Sequence, residues 1–217
     1  VAAACSGFLY GLAMAQGMVA GGLYKRVLVV GAEILSRVVD WQDRSTCILF
    51  GDGAGAVVLK KAKSGGILSS VLGSDGRYTD LLKVCAGGSK LPATAETVKA
   101  RSHYLQMTGS EVFKLAVRGM SDAVITALKK AGVDKEEIAC FIPHQANKRI
   151  IDAVTERLGV PEKKVFINLQ KYGNTSAASC VIALCEALAE GRIKKKDKVV
   201  FATFGSGLVW GAVVMEW

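Results

Sequence analysis

The sequence lacks the features that mark several familiar classes of protein. No apolar run approaches the ~18 residues needed to cross a bilayer, and residues 1–19 lack the basic start and cleavage pattern of a signal peptide. The six cysteines form no CxxC pair and are too sparse for a disulfide scaffold. These absences predict a cytoplasmic protein with reduced thiols and no membrane association.

Histidine, proline and aromatic residues are also scarce, with two histidines, three prolines and 7% aromatics among 217 residues. The formal net charge is nevertheless +9, and basic runs occur at 60–63, 129–130 and 194–196. No aromatic residues are interleaved with these runs and no nucleic-acid motif accompanies them, so we expect no nucleic-acid partner. The charge favours an acidic partner or a phosphate-bearing ligand.

A hydrophobic content of 51% predicts a substantial core, and the order of periodic segments predicts an α/β fold. The predicted strand 25–31 contains a continuous apolar run, Val27 to Val30, which is typical of a parallel strand that is buried on both faces. Residues 75–102 show no clear periodicity and are predicted to be a loop region. The segments predicted as helices are 6–20, 109–131, 148–158 and 177–189, and those predicted as strands are 25–31, 56–60, 67–73, 137–142, 165–169, 198–204 and 208–216.

Cys5 is the first candidate for chemistry. It lies between Ala2 to Ala4 and a helical segment, so its thiol is expected near a helix N-terminus. Backbone N–H groups and the helix dipole favour a thiolate there, which predicts a lowered pKa and a nucleophile near neutral pH. A free cysteine also has a simpler interpretation as a small core residue.

His144 and Asn174 each follow a predicted strand, where functional groups of open α/β sheets are often found. Each also has a purely structural interpretation, as a loop histidine with its hydrogen bonds satisfied or as the cap of the following helix. Together with Cys5 they supply a nucleophile, a hydrogen-bonding imidazole and a neutral amide donor. That combination suits acyl transfer.

Five motifs in this order resemble those of the β-ketoacyl-acyl carrier protein synthase III family. They are Ala4-Cys-Ser-Gly7, Phe50-Gly-Asp-Gly-Ala-Gly55, Pro143-His-Gln-Ala-Asn147, Tyr172-Gly-Asn-Thr-Ser176 and Phe204-Gly-Ser-Gly-Leu-Val-Trp-Gly211. Related families combine the cysteine with other residues: elongating synthases with two histidines, HMG-CoA synthases with a glutamate, and thiolases with a second cysteine. Chalcone-synthase-like enzymes share Cys, His and Asn but not these contexts.

The resemblance implies a decarboxylating Claisen condensation that starts fatty-acid synthesis. Cys5 would accept an acyl group from acyl-CoA, most simply acetyl-CoA, and malonyl-acyl carrier protein would supply the carbon nucleophile. His144 and Asn174 would bind the thioester oxygen, and the backbone N–H groups of Cys5 and Ser206 would form a second oxyanion hole. The family has glycine at the position of Ser206, but a backbone role tolerates the change.

The resemblance also implies ligand contacts and a partner. Arg44, Gly109, Asn147 and Phe204 would contact CoA or its pantetheine arm. Lys114 and Arg149 would belong to the basic surface that receives the acidic carrier protein, although both could be ordinary surface charges. No metal or cofactor is implied.

The family has a five-layered αβαβα thiolase-like fold, and the sequence lacks the long segment that precedes the nucleophile there. Residues 1–100 would be the remainder of the first half and residues 101–217 the second half. We therefore expect these residues alone to expose apolar strand faces and to fold poorly. We expect a longer natural protein that forms a homodimer, in the cytoplasm or in the plastid stroma of a plant.

Three other interpretations remain open from sequence alone. The first is a related Cys/His/Asn condensing enzyme of polyketide, quinolone or long-chain ketone biosynthesis. The second is a non-catalytic thiolase-fold fragment or partner. The third is a cysteine hydrolase, which would need its histidine as a general base for water.

Overall fold

The computed structural model describes residues 1–217 and contains seven helices and eight strands. The helices are α1 (Gly7–Ala20), α2 (Arg44–Cys47), α3 (Ala95–Lys99), α4 (Gly109–Ala131), α5 (Lys148–Leu158), α6 (Leu169–Tyr172) and α7 (Ala178–Ala189). The strands are β1 (Arg26–Ile34), β2 (Asp52–Lys60), β3 (Gly66–Ser74), β4 (Leu82–Val84), β5 (Leu105–Met107), β6 (Ile138–Pro143), β7 (Lys198–Gly205) and β8 (Val209–Glu216).

The centre of the molecule is a four-stranded mixed sheet in the order β3-β8-β7-β6. Strand β7 pairs in parallel with β6 and antiparallel with β8, which in turn pairs antiparallel with β3. Alternate residues of β7 enter two separate cores: Val200 and Ala202 face one, while Val199 and Phe201 face the other. Both faces are covered, so β7 is an almost continuous apolar run.

Four layers result from this arrangement. Helices α4 and α5 cover one face of the central sheet. Helices α1 and α7 cover the other face and also pack against the two-stranded sheet β1-β2. A helix buried between two sheets needs apolar or small residues on all sides, which explains the Ala-, Leu- and Met-rich sequence of α1.

Strand β1 differs from the prediction. It pairs antiparallel with β2, with Leu28 opposite Val58, and only alternate residues face the core. The apolar run was interpreted as a strand covered on both faces, but here one face carries exposed Leu28, Val30 and Ile34. The expectation of exposed apolar strand faces is therefore met.

Most other predicted elements are present, with three further differences. Residues 165–169 form one isolated bridge to Phe141 and the start of α6 instead of a strand. The predicted loop region 75–102 contains β4 and α3. The consecutive segments 56–60 and 67–73 are predicted to be neighbouring strands, but β2 and β3 belong to different sheets.

The division into residues 1–100 and 101–217 stays a prediction. Strand β3 lies before residue 100 but is hydrogen-bonded into the sheet of the later residues through β8. No helix of the structure combines the length and the apolar composition that a membrane crossing requires.

We predict that the protein self-associates through the exposed apolar face of β1-β2. Replacing Leu28, Val30 and Val58 by threonine puts a β-branched residue that favours strands at each position but removes apolar surface. We expect weaker binding of a hydrophobic dye and less association in sedimentation velocity. The thermal midpoint should change little, because these side chains are more than half exposed.

Val29→Thr is the matched control, because Val29 is on the same strand but is buried. A hydroxyl there would lack a partner and should cost about 1–3 kcal/mol of stability. Unchanged association in the triple variant would contradict the prediction.

Candidate active site

A cavity of about 600 Å³ opens between the start of α1, the ends of β6 and β7, and the first turns of α4 and α5. It brings together residues that are far apart in the sequence. Eight of the predicted site residues line it, namely Cys5, Gly109, Lys114, His144, Asn147, Arg149, Asn174 and Phe204.

Cys5 lies in a short 3₁₀ turn, Ala4–Ser6, that leads directly into α1. Ala4 adopts a φ of 41°, an uncommon left-handed value for a residue other than glycine. Gly205 packs against the backbone of Cys5 so closely that a Cβ atom there would lie 2.8 Å from Cys5 N. The nucleophile is therefore held between its own turn and the end of β7.

The thiol of Cys5 differs electrostatically from the prediction. Burial raises the pKa of Cys5 to about 11, and the Glu33 carboxylate acts in the same direction. The Ser176 hydroxyl and the backbone N–H of Cys5 act in the opposite direction but do not outweigh burial. The expected lowering of the pKa is therefore wrong, because removal from water disfavours the thiolate more than the local donors stabilise it.

His144 is 2% exposed and is fixed at two points. Its backbone N–H donates to Ala202 O across 2.7 Å, and its ring Nδ1 lies 2.6 Å from Ser179 Oγ. Burial lowers the pKa of His144 to about 4, so the imidazole is neutral at pH 7. Because Nδ1 is already paired, Nε2 is the nitrogen left for a ligand.

The residues that follow His144 give the loop its shape. Gln145 is buried and joins two loop segments, donating from Nε2 to Pro143 O at 2.7 Å and accepting from Asn168 N at 3.0 Å. Asn147 is the N-cap of α5, and its Oδ1 accepts from Arg149 N at 2.9 Å. Its Nδ2 makes no hydrogen bond to another protein group, and Asn147 lines the cavity.

Asn174 is oriented in the same way. Its Oδ1 accepts a hydrogen bond from Ser176 N at 2.8 Å, so its Nδ2 is left as a donor. Its backbone is bound to the segment after α2, through Leu49 O and Gly51 N. Gly173 has a φ of 67°, which favours glycine at the turn that delivers Asn174.

The basic residues lie near the N-termini of two helices at the mouth of the cavity, Lys114 in the second turn of α4 and Arg149 in the first turn of α5. Lys114 is exposed on α4 and pairs with Glu111 at 2.8 Å. Arg149 is exposed on α5, with its guanidinium 6.0 Å from the centre of the Phe113 ring. Both side chains can meet a large acidic partner without entering the cavity.

Two predicted residues do not line the cavity. Arg44 is exposed at the start of α2, next to Ser45, which does line it. Ser206 is half-buried and donates through Oγ to Leu82 O at 2.5 Å. Its neighbour Gly205 lies against the backbone of Cys5. The role of the Ser206 N–H in an oxyanion hole stays a prediction.

Sequence reasoning missed three residues near the triad. Ser176 and Ser179 contact Cys5 and His144 respectively, and Glu33 approaches Ser176 by accepting from Ala177 N at 3.4 Å. In the sequence, Ser176 is distinguished only as part of a motif, and Ser179 resembles any helical serine. Only the packing of α7 against β6 gives Ser179 its partner.

No group of three or more His, Cys, Asp or Glu side chains lies close enough together to hold a metal ion. The expectation that the chemistry uses no metal or cofactor remains a prediction.

Two family models match the sequence. One describes 3-oxoacyl-[acyl-carrier-protein] synthase III and matches residues 1–76, and the other describes the C-terminal part of the same enzyme and matches residues 128–217. The β-ketoacyl-[acyl-carrier-protein] synthase III of Symbiobacterium thermophilum is 53% identical over 100% of this chain. The chain belongs to the β-ketoacyl-acyl carrier protein synthase III family. The resemblance drawn from the five motifs is therefore confirmed.

Solved structures agree with this assignment. The 3-oxoacyl-[acyl-carrier-protein] synthase III from Aquifex aeolicus is 47% identical, with a TM-score of 0.90 over 100% of this chain and 66% of that one. The priming β-ketosynthase of the R1128 polyketide pathway is 36% identical, with a TM-score of 0.88 over 100% and 64%. The thiolase-like fold is thus confirmed.

The chain spans about two thirds of the length of these synthase III relatives, 66% of the Symbiobacterium protein. The four layers described above are the part of the fold that these residues form.

Close packing at Gly205 predicts a stability effect. Gly205→Ala would force its Cβ against the backbone of Cys5 and should cost about 1–3 kcal/mol of unfolding free energy in urea titrations. Gly17→Ala is the control, because a Cβ in that exposed helical position meets no atom within 4 Å. It should stabilise α1 by up to about 1 kcal/mol; equal effects of the two substitutions would refute the packing argument.

The neutral state of His144 predicts a pH dependence of stability. Its folded pKa, about 4, lies below the unfolded value near 6.5, so the unfolded chain binds more protons between these values. Stability should therefore fall as the pH falls through this window, by up to about 1.4 kcal/mol per pH unit from this group alone.

His144→Gln should remove this component, while leaving the contributions of carboxylates such as Asp40 and Asp75 in place. The measurement is urea unfolding of both proteins from pH 7 to pH 4. Parallel curves would show that His144 is not held neutral by the fold.

Proposed function

We propose that the chain carries the acyl-cysteine and condensation chemistry of the initiating step of fatty-acid synthesis. The reaction joins an acyl group from acyl-CoA, with acetyl-CoA as the simplest primer, to malonyl-acyl carrier protein. The observation that carries the proposal is that Cys5, His144 and Asn174 line one cavity, with His144 Nε2 and Asn174 Nδ2 left without a protein partner.

In the first half-reaction, Cys5 Sγ attacks the carbonyl carbon of the acyl-CoA thioester. The carbon–sulfur bond to CoA breaks, the acyl group remains on Cys5, and the thiol proton leaves with the CoA sulfur as CoA thiol. Because the thiol proton is passed to the CoA sulfur during this half-reaction, no free thiolate has to persist between turnovers. The step is therefore compatible with a thiol whose pKa is raised by burial. The N–H groups of Cys5 and Ser206 are proposed to bind the developing oxyanion.

In the second half-reaction, malonyl-acyl carrier protein loses carbon dioxide. The electron pair of the broken carbon–carbon bond enters an enolate, whose oxygen accepts hydrogen bonds from His144 Nε2–H and Asn174 Nδ2–H. The carbanion carbon then attacks the acyl-cysteine carbonyl, and the carbon–sulfur bond to Cys5 breaks. A proton from solvent restores the thiol, and 3-ketoacyl-acyl carrier protein is released.

The neutrality of both donors supports this use of the site. An imidazolium would deliver a proton to the carbanion, whereas a neutral imidazole with a pKa near 4 and an amide donate hydrogen bonds without quenching it. A histidine with a lowered pKa is also a weak base. The site is therefore less suited to a cysteine hydrolase, whose histidine must accept a proton readily.

The remaining predicted residues fit a ligand that enters from the mouth of the cavity. Gly109, Asn147 and Phe204 would contact the pantetheine arm, and Arg44 would meet the CoA adenine outside. Lys114 and Arg149 would receive the acidic carrier protein, with an effect mainly on the association rate. The proposal includes a homodimer in the cytoplasm, or in the plastid stroma for a plant protein, and no metal or cofactor.

A polyketide-priming activity is the second candidate, because the R1128 priming β-ketosynthase shares the fold at 36% identity. It would use the same three residues with a different acyl donor.

The test is peptide mass spectrometry after incubation with a panel of acyl-CoA thioesters of increasing length. We expect one acyl group on the Cys5 peptide and none in Cys5→Ala. Exposed Cys185 serves as an internal control for non-specific acylation. Addition of malonyl-acyl carrier protein should then remove the acyl group and yield a 3-ketoacyl product.

Each outcome separates the candidates. Labelling by acetyl-CoA supports the initiating synthase, and labelling only by longer or branched donors favours another condensing pathway. Hydrolysis of the acyl-cysteine without a carbon–carbon bond would indicate the hydrolase. Absence of label from every donor, in protein with a cooperative melting transition, would refute the covalent mechanism.

A further inference from the structure

The imidazole of His144 has two ring nitrogens but carries only one ring proton, because burial keeps it neutral. The nitrogen that holds the proton decides what the ring offers the cavity. With the proton on Nε2 the ring is a donor toward the ligand, and with the proton on Nδ1 it is an acceptor.

Ser179 is the group that contacts the other nitrogen. Its hydroxyl lies 2.6 Å from His144 Nδ1, and Ser179 is itself only 2% exposed. It occupies the first turn of α7, whose buried position between the two sheets leaves the side chain little freedom. The contact is therefore a fixed part of the core.

The hydroxyl has a single proton to donate, and its possible acceptors are few. No carbonyl or carboxylate oxygen accepts a hydrogen bond from Ser179 Oγ, and its other polar neighbour is the thiol of Cys180, a weak acceptor. If Nδ1 carried the ring proton, the buried hydroxyl proton would lack a good acceptor, which is unfavourable for a buried donor. Donation from Ser179 Oγ to Nδ1 satisfies both groups.

We propose that Ser179 is a positioning residue that fixes His144 as the Nε2–H tautomer and thereby makes it a hydrogen-bond donor to the cavity. The consequence for catalysis rests on the proposed function, since an Nε2 donor is what the enolate oxygen requires. The tautomer itself does not depend on that function.

The same stretch of chain sets the second donor. Ser176 N–H occupies Asn174 Oδ1, just as the Ser179 hydroxyl occupies His144 Nδ1. Two serines three residues apart thus hold both acceptor atoms and leave both donors facing the ligand. The residues at the start of α7 therefore determine that the site offers hydrogen-bond donors to the ligand.

The first test is the ¹⁵N resonance pattern of the imidazoles in protein labelled at histidine. Only two histidines are present, and a His103→Gln variant assigns the signals. We expect His144 to show a protonated Nε2 and an unprotonated Nδ1 at pH 7. An Nδ1–H pattern in the wild-type protein would overturn the proposal outright.

Three variants connect the tautomer with chemistry. Ser179→Ala removes the donor, Ser179→Thr keeps a hydroxyl, and Ser69→Ala removes another buried serine whose Oγ donates to Ala127 O at 2.7 Å, outside the site. We expect Ser179→Ala to populate both tautomers and to slow decarboxylation of the malonyl thioester about three- to tenfold. Acylation of Cys5 by acyl-CoA should stay within twofold of the wild-type rate.

Ser179→Thr should restore the wild-type tautomer, and Ser69→Ala should lower stability without changing either readout. An unchanged tautomer in Ser179→Ala would refute the positioning role, and a changed tautomer with unchanged decarboxylation would refute its link to catalysis. If the wild-type protein shows the Nε2–H pattern but no decarboxylation, the proposed function fails while the assignment of the tautomer stands.

Discussion

The site depends on how the chain enters α7. Within six residues, Asn174 is bound to the segment after α2, Ser176 fixes its side-chain amide, and Ser179 reaches the ring of His144. These contacts require α7 to start at one position and to be packed on both sides, between the two sheets. A shift of this helix would displace the side chains of both Asn174 and His144. The burial of α7 therefore fixes the geometry of the site.

Burial also sets the electrostatics of the cavity. It holds the thiol of Cys5 protonated and the imidazole of His144 neutral, with a pKa of about 11 for the first and about 4 for the second. Neither group carries a resting charge, and hydrogen bonds in such a site act through oriented dipoles in a low dielectric. This environment favours a reaction whose negative charge appears only on the substrate's oxygen.

The two-sided central sheet explains why the three residues meet. Cys5 comes from the layer of α1, His144 from the end of β6, and Asn174 from the turn before α7, and all three reach the same edge of the central sheet. The last residue of β7, Gly205, packs against the backbone of Cys5 and leaves no room for a Cβ atom. Lys114 and Arg149 lie near the N-termini of α4 and α5 at the entrance, so the layer that completes one core also presents the charged surface.

The sequence by itself determined the family, most of the helices and strands, and the three residues that line the cavity together. Local motifs and periodicity carry that information, because a reactive residue type and an apolar face are visible in the residues themselves. The sheet to which each strand belongs, the exposed face of β1-β2 and the raised pKa of Cys5 were decided only by the tertiary structure. The contact between Ser179 and His144 was decided there too, because strand pairing, burial and hydrogen-bond partners depend on neighbours that lie far away along the chain.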